Sequence, residues 1–221
     1  MIKKVRLLLA DDHDIVLQGL RSVLNSPDLE VIGSVGDGQS LIKAVKDLQP
    51  DVVVTDITMP TLNGIDAARK IRKLQPRMKI VFLTMHPDIG YATEAVALGN
   101  SAYVLKSSAA DELPDAIHAV MRGEHYVSPR IASSVEEDLL RRKPGKTRIE
   151  LSGREREILQ LIAEGKTFKE IASTLSISPR TVEFHRNRIS EKTGLRTMAD
   201  LTRHAVRLGI IRGDGPQEQK T

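Results

Sequence analysis

The sequence predicts an α/β part followed by an all-α part. The first is an N-terminal (βα)5 doubly wound parallel sheet, and the second is a C-terminal four-helix unit containing a helix-turn-helix. Three observations predict this. Five short runs rich in Val, Ile and Leu recur through the first half with little polar alternation, the mark of parallel strands buried on both faces. Segments of helical period separate them. From Leu151 onward no strand pattern remains, and four helix-start signals follow in 60 residues.

The five runs are Val5–Ala10, Val31–Val35, Val52–Thr55, Ile80–Leu83 and Ala102–Leu105. Between and after them lie five apolar stripes. The first is Ile15, Gly19, Leu20, Val23 and Leu24, and the second is Leu41, Ile42, Val45 and Leu48. Ile65, Ala68, Ile71 and Leu74 form the third, Tyr91, Ala95, Val96 and Leu98 the fourth, and Leu113, Ala116, Ile117 and Val120 the fifth. Ser26-Pro27, Gln49-Pro50, Gln75-Pro76 and Leu98-Gly99-Asn100 mark helix ends. After Gly123 the pattern changes. Ser128-Pro129 opens a short helix reaching Leu140, and the basic run Arg141–Arg148 reads as an exposed connector.

In the last part, Ser152-Gly-Arg-Glu155 and Thr167-Phe-Lys-Glu170 are capping boxes. Ser178-Pro179 is an N-cap followed by proline at the first helical position, opening a helix to about Gly194. Thr197 opens the last helix, which closes at Gly209. Only Ser176-Ile177-Ser178 separates the two middle helices, a turn short enough for a helix-turn-helix. The predicted divisions are 1–122, a linker over 123–149, 150–212, and a disordered tail over 213–221.

In a doubly wound sheet, ligands bind at the carboxyl ends of the strands. Strand one ends in Asp11-Asp12, strand three in Asp56, strand four in Thr84 and strand five in Lys106. Three converging carboxylates repel and call for a cation, and an all-oxygen set suits Mg²⁺. A hard cation, a hydroxyl and an ammonium around a carboxylate form a receptor for a phosphoryl group. The carboxylate can itself be the nucleophile, giving an aspartyl phosphate. Any one strand-end Asp is commonly just an N-cap, and only the whole set points to a phosphoryl site. Gly33, Gly36 and Gly38 fit no phosphate-loop spacing and read as turn glycines. His13 and His86, near the acidic edge, lack metal-ligand spacing and read as loop packing.

On Leu8–His13, Val54–Pro60, Asn63-Gly64, Val81–Thr84 and Ala102–Lys106, the first 122 residues resemble a two-component receiver domain. The resemblance implies phosphorylation of Asp56 by a cognate histidine kinase. It implies Mg²⁺ held by Asp11, Asp12 and Asp56 with the backbone carbonyl of Thr58. It makes Thr84 the switch hydroxyl, Tyr103 the switch aromatic and Lys106 the phosphate-pairing lysine. Many members have proline after that lysine, often in a cis bond; here Ser107 follows, and a cis bond is not implied.

The third helix of the end unit splits by spacing into a buried face of Val182, His185, Ile189 and the stem of Lys192, and an outer face. The DNA-contact set is Arg180, Thr181, Phe184, Arg186, Asn187, Arg188 and Lys192, types suited to phosphates and base edges. Through Leu151–Glu155, Glu164–Lys166, Lys169–Ala172, Ile177–Val182 and His185, residues 150–212 resemble the LuxR-type helix-turn-helix. The two resemblances together imply a bacterial transcription regulator of the NarL/FixJ-like kind, cytoplasmic, binding double-stranded DNA. They also imply a homodimer on activation, formed through the last helix. Glu183 stands where many members carry Lys. Two roles stay open for it: accepting from a cytosine amino group, or pairing with Arg186 or Arg180.

Composition excludes rivals. The 221 residues hold no Cys, which removes disulfides, thiol catalysis and Cys-dependent zinc sites. No apolar run approaches the roughly 18 residues of a membrane span, and no signal-peptide pattern opens the chain. Three Phe, three Tyr and no Trp cannot build single-strand stacking platforms. The net charge of +4 is uneven. Residues 1–125 carry 14 basic and 16 acidic side chains, and residues 151–221 carry 13 and 9, so the end unit is the nucleic-acid candidate. Two alternatives remain. An aspartyl-nucleophile phosphohydrolase commonly has a second acid two residues after the nucleophile, where Thr58 stands here. A phosphorylation-independent DNA-binding protein would not need the complete acidic-edge set.

Overall fold

A computed structural model describes residues 4–85, 89–141 and 151–211 of the chain. His86, residues 142–148 of the basic run and the expected disordered tail over 213–221 lie outside the described residues. Two units are distinguished, one spanning most of the first 145 residues and the other essentially the remainder.

In the first unit the strands are β1 (Val5–Ala10), β2 (Leu29–Val35), β3 (Val52–Asp56), β4 (Lys79–Thr84), β5 (Ser101–Leu105) and β6 (Tyr126–Val127). They form one parallel sheet in the order β2-β1-β3-β4-β5-β6. The helices are α1 (Asp14–Val23), α2 (Gly38–Leu48), α3 (Gly64–Leu74), α4 (Ile89–Ala97), α5 (Ala109–Met121) and α6 (Pro129–Arg141). Because β2 leaves to one side of β1 and β3 to the other, the sheet switches direction between β1 and β3. That opens a crevice at their carboxyl ends. Leu7, Leu9, Val52, Val54, Val81, Leu83, Ala102 and Val104 face one way. They pack against Leu17, Leu20 and Leu24 of and just after α1, and against Leu113, Ile117 and Val120 of α5.

Two features differ from the sequence expectation. The inward line of α1 is Leu17–Leu20–Leu24, whereas Ile15 is 75% exposed. Apolar residues at 15, 16, 17, 20, 23 and 24 allow two competing helical stripes, and the tertiary fit selects the one with three leucines. The sheet also has a sixth strand. β6 pairs with β5, Ala102 beside Tyr126 and Tyr103 beside Val127. The buried Ser128 hydroxyl accepts from Leu105 N at 3.0 Å and donates to Glu112. Residues 126–141 thus pack on the sheet unit instead of hanging from it. α6 buries Ile131 and Val135, and Asp138 Oδ2 accepts from Thr93 Oγ1 of α4 at 2.9 Å.

The second unit contains α7 (Gly153–Ala163), α8 (Phe168–Thr174), α9 (Pro179–Thr193) and α10 (Met198–Arg207). Both capping boxes form: Ser152 with Glu155 and Thr167 with Glu170 each exchange side-chain to backbone bonds. Ser178 Oγ accepts from Thr181 N at 3.1 Å with Pro179 at the first helical position, and Gly194 ends α9 at φ 73°. The core is Ile158, Leu159, Leu161 and Ile162 of α7, Ile171 and Ala172 of α8, Val182 and Ile189 of α9, and Leu201 and Ala205 of α10 with Ile210. Among the described residues no helix is long and apolar enough to cross a membrane.

Candidate functional site

In the first unit the sheet order puts Asp11, directly after β1, beside the end of β3, where Asp56 is the last residue. Lys106, directly after β5, reaches back across β4 to both. Its Nζ lies 2.5 Å from Asp11 Oδ2 and 3.1 Å from Asp56 Oδ2. All three side chains are buried, so two carboxylates share one ammonium away from water. Asp12 is more open. His13 Nδ1 lies 2.9 Å from Asp12 Oδ1 and 3.2 Å from Asp11 Oδ1, and His13 N donates to Asp11 Oδ1 at 3.0 Å. His13 therefore sits against both acids at the edge, a contact that its sequence spacing, which predicts only loop packing, does not express.

Thr84 ends β4 and is nearly buried. Tyr103, in the middle of β5, is fully buried. Alternation along the strands puts the Thr84 and Tyr103 side chains on the sheet face opposite α1 and α5. Thr58 is half-buried in the segment between β3 and α3. No cis peptide bond occurs among the described residues. The Lys106–Ser107 bond is trans, and Lys106–Ser108 form a 3-10 turn leading into α5.

The Asp56 backbone is held by a contact that sequence reasoning missed. A Cβ added at Gly64 would stand 2.1 Å from Asp56 O, and Gly64 N donates to Ile57 O at 2.7 Å. Only a glycine lets the start of α3 come this near the end of β3. Asn63 caps α3 by accepting from Asp66 N at 2.9 Å and donating to Asp66 Oδ2 at 2.8 Å, and Arg69 secures Asp66 at 2.9 Å. The sequence signal was present as Asn63-Gly64, a capping residue followed by glycine, but the distance it serves is tertiary.

A Mg²⁺-like ion fits this donor set. The carboxylates of Asp11, Asp12 and Asp56 against one lysine leave an excess of negative charge and offer hard oxygens. Ligand atoms of Asp11, Asp12 and His13 lie within 4.8 Å of one another, so the His13 ring nitrogen stands beside the two acids.

In the second unit α9 turns Val182 and Ile189 into the core. Arg180, Glu183, Phe184, Asn187 and Arg188 are exposed, while Thr181, His185 and Arg186 are half-buried. Phe184 is 56% exposed, with the Arg188 guanidinium 5.8 Å from its ring centre. Arg186 donates to Asn187 Oδ1 at 3.2 Å and to Arg196 O at 2.5 Å. Lys192 does not stand with the outer set. Its Nζ lies 2.6 Å from Oε2 of the buried Glu155 in α7. Burial pushes the Glu155 carboxyl up, but Lys192 and the Ser152 cap outweigh it and hold the group below its ordinary range. Glu155 thus fastens α9 to α7, and no sequence signal announced it, because 37 residues separate the partners. On α10, burial first and Arg207 second lower the His204 pKa.

Residues 7–118 match the family described as response regulator receiver domain, and residues 150–205 match the bacterial regulatory proteins of the luxR family. The transcriptional regulatory protein MctR of Rhizobium johnstonii is 39% identical over 209 residues, covering 94% of this chain and 96% of its own. The structure of an RcsB response regulator–DNA complex is 30% identical, covers 91% of this chain and 98% of that one, and has a TM-score of 0.63. A structure of two RcsB dimers bound to two parallel DNAs is 29% identical, covers 95% of this chain and all of that one, and has a TM-score of 0.57.

Proposed function

Since the chain belongs to the response regulators that join a receiver domain to a LuxR-type DNA-binding domain, we propose that phosphorylation of Asp56 by a cognate histidine kinase controls its binding to double-stranded DNA and so transcription. The observation that carries this reading is the meeting of Asp11 and Asp56 around Lys106 Nζ at the crevice, 2.5 and 3.1 Å away.

The Asp56 carboxylate oxygen attacks the phosphorus of a phosphohistidine; the P–O bond forms and the P–N bond breaks, returning the imidazole to the kinase. A Mg²⁺ held by Asp11, Asp12, Asp56 and the Thr58 carbonyl would supply the charge neutralisation that lets two anions approach. Lys106 turns from the Asp56 carboxylate to the new phosphoryl oxygens, and the Thr84 hydroxyl donates to another. Thr84 movement is then felt by buried Tyr103 and by α4 on the same face, the bistable region that the charge biases. The chemistry is confined to the chain's own phosphoryl transfer and loss, without turnover of an outside substrate.

At the other end, Arg180, Thr181, Phe184, Asn187 and Arg188 on α9, with Arg186 beside them, enter the major groove. Lys192 serves from behind by holding α9 through Glu155. The RcsB complexes support DNA as the partner and a homodimer as the binding form, with paired half-sites read by two copies of α9. The cytoplasm, where DNA and the kinase's phosphoryl donor meet, is the compartment. Mass spectrometry after treatment with a small phosphodonor and Mg²⁺ tests the site. One phosphoryl group is expected on wild type and none on Asp56→Asn, and equal labelling of the two would refute it.

A further inference from the structure

Glu183 lies on the face of α9 that turns away from the core, three residues after Arg180 and four before Asn187, so the three side chains share one strip of the helix. It is exposed, in the N-terminal half of α9, the part of a recognition helix that meets base edges. Arg180 and Arg186 are each close enough in sequence to neutralise it, yet neither does. Arg186 is committed to Asn187 Oδ1 and the Arg196 carbonyl. Among the described residues Glu183 has no hydrogen-bond or ion-pair partner. The intrahelical pairing that would make it a bland surface acid is therefore absent.

We infer that Glu183 is a base-specificity determinant that accepts from the N4 amino group of a cytosine in the major groove. This deepens the DNA-binding reading and rests on it. A carboxylate brought on a basic helix toward a polyanion is repelled by every phosphate it nears, so its neighbour in the complex must be a donor. A carboxylate only accepts. The major groove offers donors at cytosine N4 and adenine N6 alone, and adenine sets the acceptor N7 beside its amino group, which faces the second carboxylate oxygen unfavourably. Cytosine has no such neighbour on its own edge, and it is the better match. At any other base the acid is left against an acceptor or a methyl group, so Glu183 acts as much by rejecting wrong sites as by binding the right one. Arg180 and Asn187 flank it on the same strip and would hold it in register.

The helix carries its own control. Glu191 is also an exposed acid of α9, but two turns further on, in the C-terminal half. Glu183→Gln and Glu191→Gln remove the same charge from the same helix. The test is selection from a random duplex library at one fixed salt concentration. It uses the full chain treated with a small phosphodonor and Mg²⁺, as wild type, Glu183→Gln, Glu183→Ala and Glu191→Gln. Wild type should enrich a motif with one C-selective position. Glu183→Ala should lower that preference at least roughly fivefold, the lower end of a good base contact. Glu183→Gln should turn the same position toward A, because an amide matches adenine N6 and N7. Glu191→Gln should keep the wild-type motif. If both Gln variants bind all sites more tightly and leave the motif unchanged, Glu183 merely repels phosphate and the inference falls while the DNA reading stands. A wild type that enriches no sequence overturns that reading and this inference with it.

Discussion

Replacing Lys106 by Met removes the one ammonium between two buried carboxylates while keeping most of the stem. Removing one partner of a buried pair costs about 3–5 kcal/mol, because the opposite charge stays buried and uncompensated. The 8% exposure of Lys106 and near-zero exposure of Asp11 put this site in that regime, and we take about 3–4 kcal/mol. A unit of roughly 140 residues has an unfolding entropy near 0.29 kcal/mol/K, so the receiver transition should fall by roughly 10–14 °C in EDTA. Mg²⁺ should act in the opposite sense. Three carboxylates and one lysine sum to −2, and without the lysine to −3, so the variant should bind the ion more tightly. A tenfold gain in affinity adds about 1.4 kcal/mol at saturating ion, or roughly 5 °C of extra rescue relative to wild type. The assay is calorimetry of both proteins with EDTA and across a Mg²⁺ titration. Melting within about 3 °C of wild type in EDTA, or equal Mg²⁺ stabilisation of both, would refute the electrostatic account of the crevice.

Gly64→Ala puts a methyl where Asp56 O already lies 2.1 Å from the added Cβ, so the backbone must shift. We expect a loss of roughly 2–4 kcal/mol and a reduced rate of Asp56 phosphorylation by a small phosphodonor, while unchanged labelling and stability would contradict the close approach. Glu155→Gln weakens both the α7 cap and the tie to Lys192, which is about a third exposed at 31%. The loss should be about 2–3 kcal/mol at neutral pH, below the fully buried value. Because Lys192 and the Ser152 cap hold folded Glu155 below the ordinary glutamate value of 4.5, its stabilisation is present above about that pH and lost as pH falls through the folded value. The gap between wild type and variant in denaturant melts of the DNA-binding unit should therefore close on acidification below about 4.5, and a gap that persists there would assign the effect to packing.

The strands of the receiver unit were legible because strands buried on both faces are continuous apolar runs, and their order brought Asp11, Asp56 and Lys106 together as the strand ends suggested. The caps of the end unit were equally legible, since Ser152, Thr167, Ser178 and Thr197 each bind a backbone N–H within three residues. What escaped was long-range or short-lived in sequence. β6 has two residues, too few to show a period. The phase of α1 was misread because Ile15 and Leu17 both fit a stripe, and only packing against the sheet decides. Lys192 carries the charge of a DNA contact, and nothing local says that Glu155 already holds it. The Gly64 approach to Asp56 is a distance between segments that sequence spacing cannot express.

The proposed function couples charge on Asp56 to affinity for DNA. It is tested most directly by titrating a selected duplex with the full chain, with and without a small phosphodonor in Mg²⁺, as wild type and as Asp56→Asn. A coupling of about 1–3 kcal/mol predicts that the phosphodonor tightens wild-type binding roughly 5- to 150-fold and leaves Asp56→Asn unchanged. Equal wild-type affinity under both conditions, or the same enhancement in Asp56→Asn, would contradict the account.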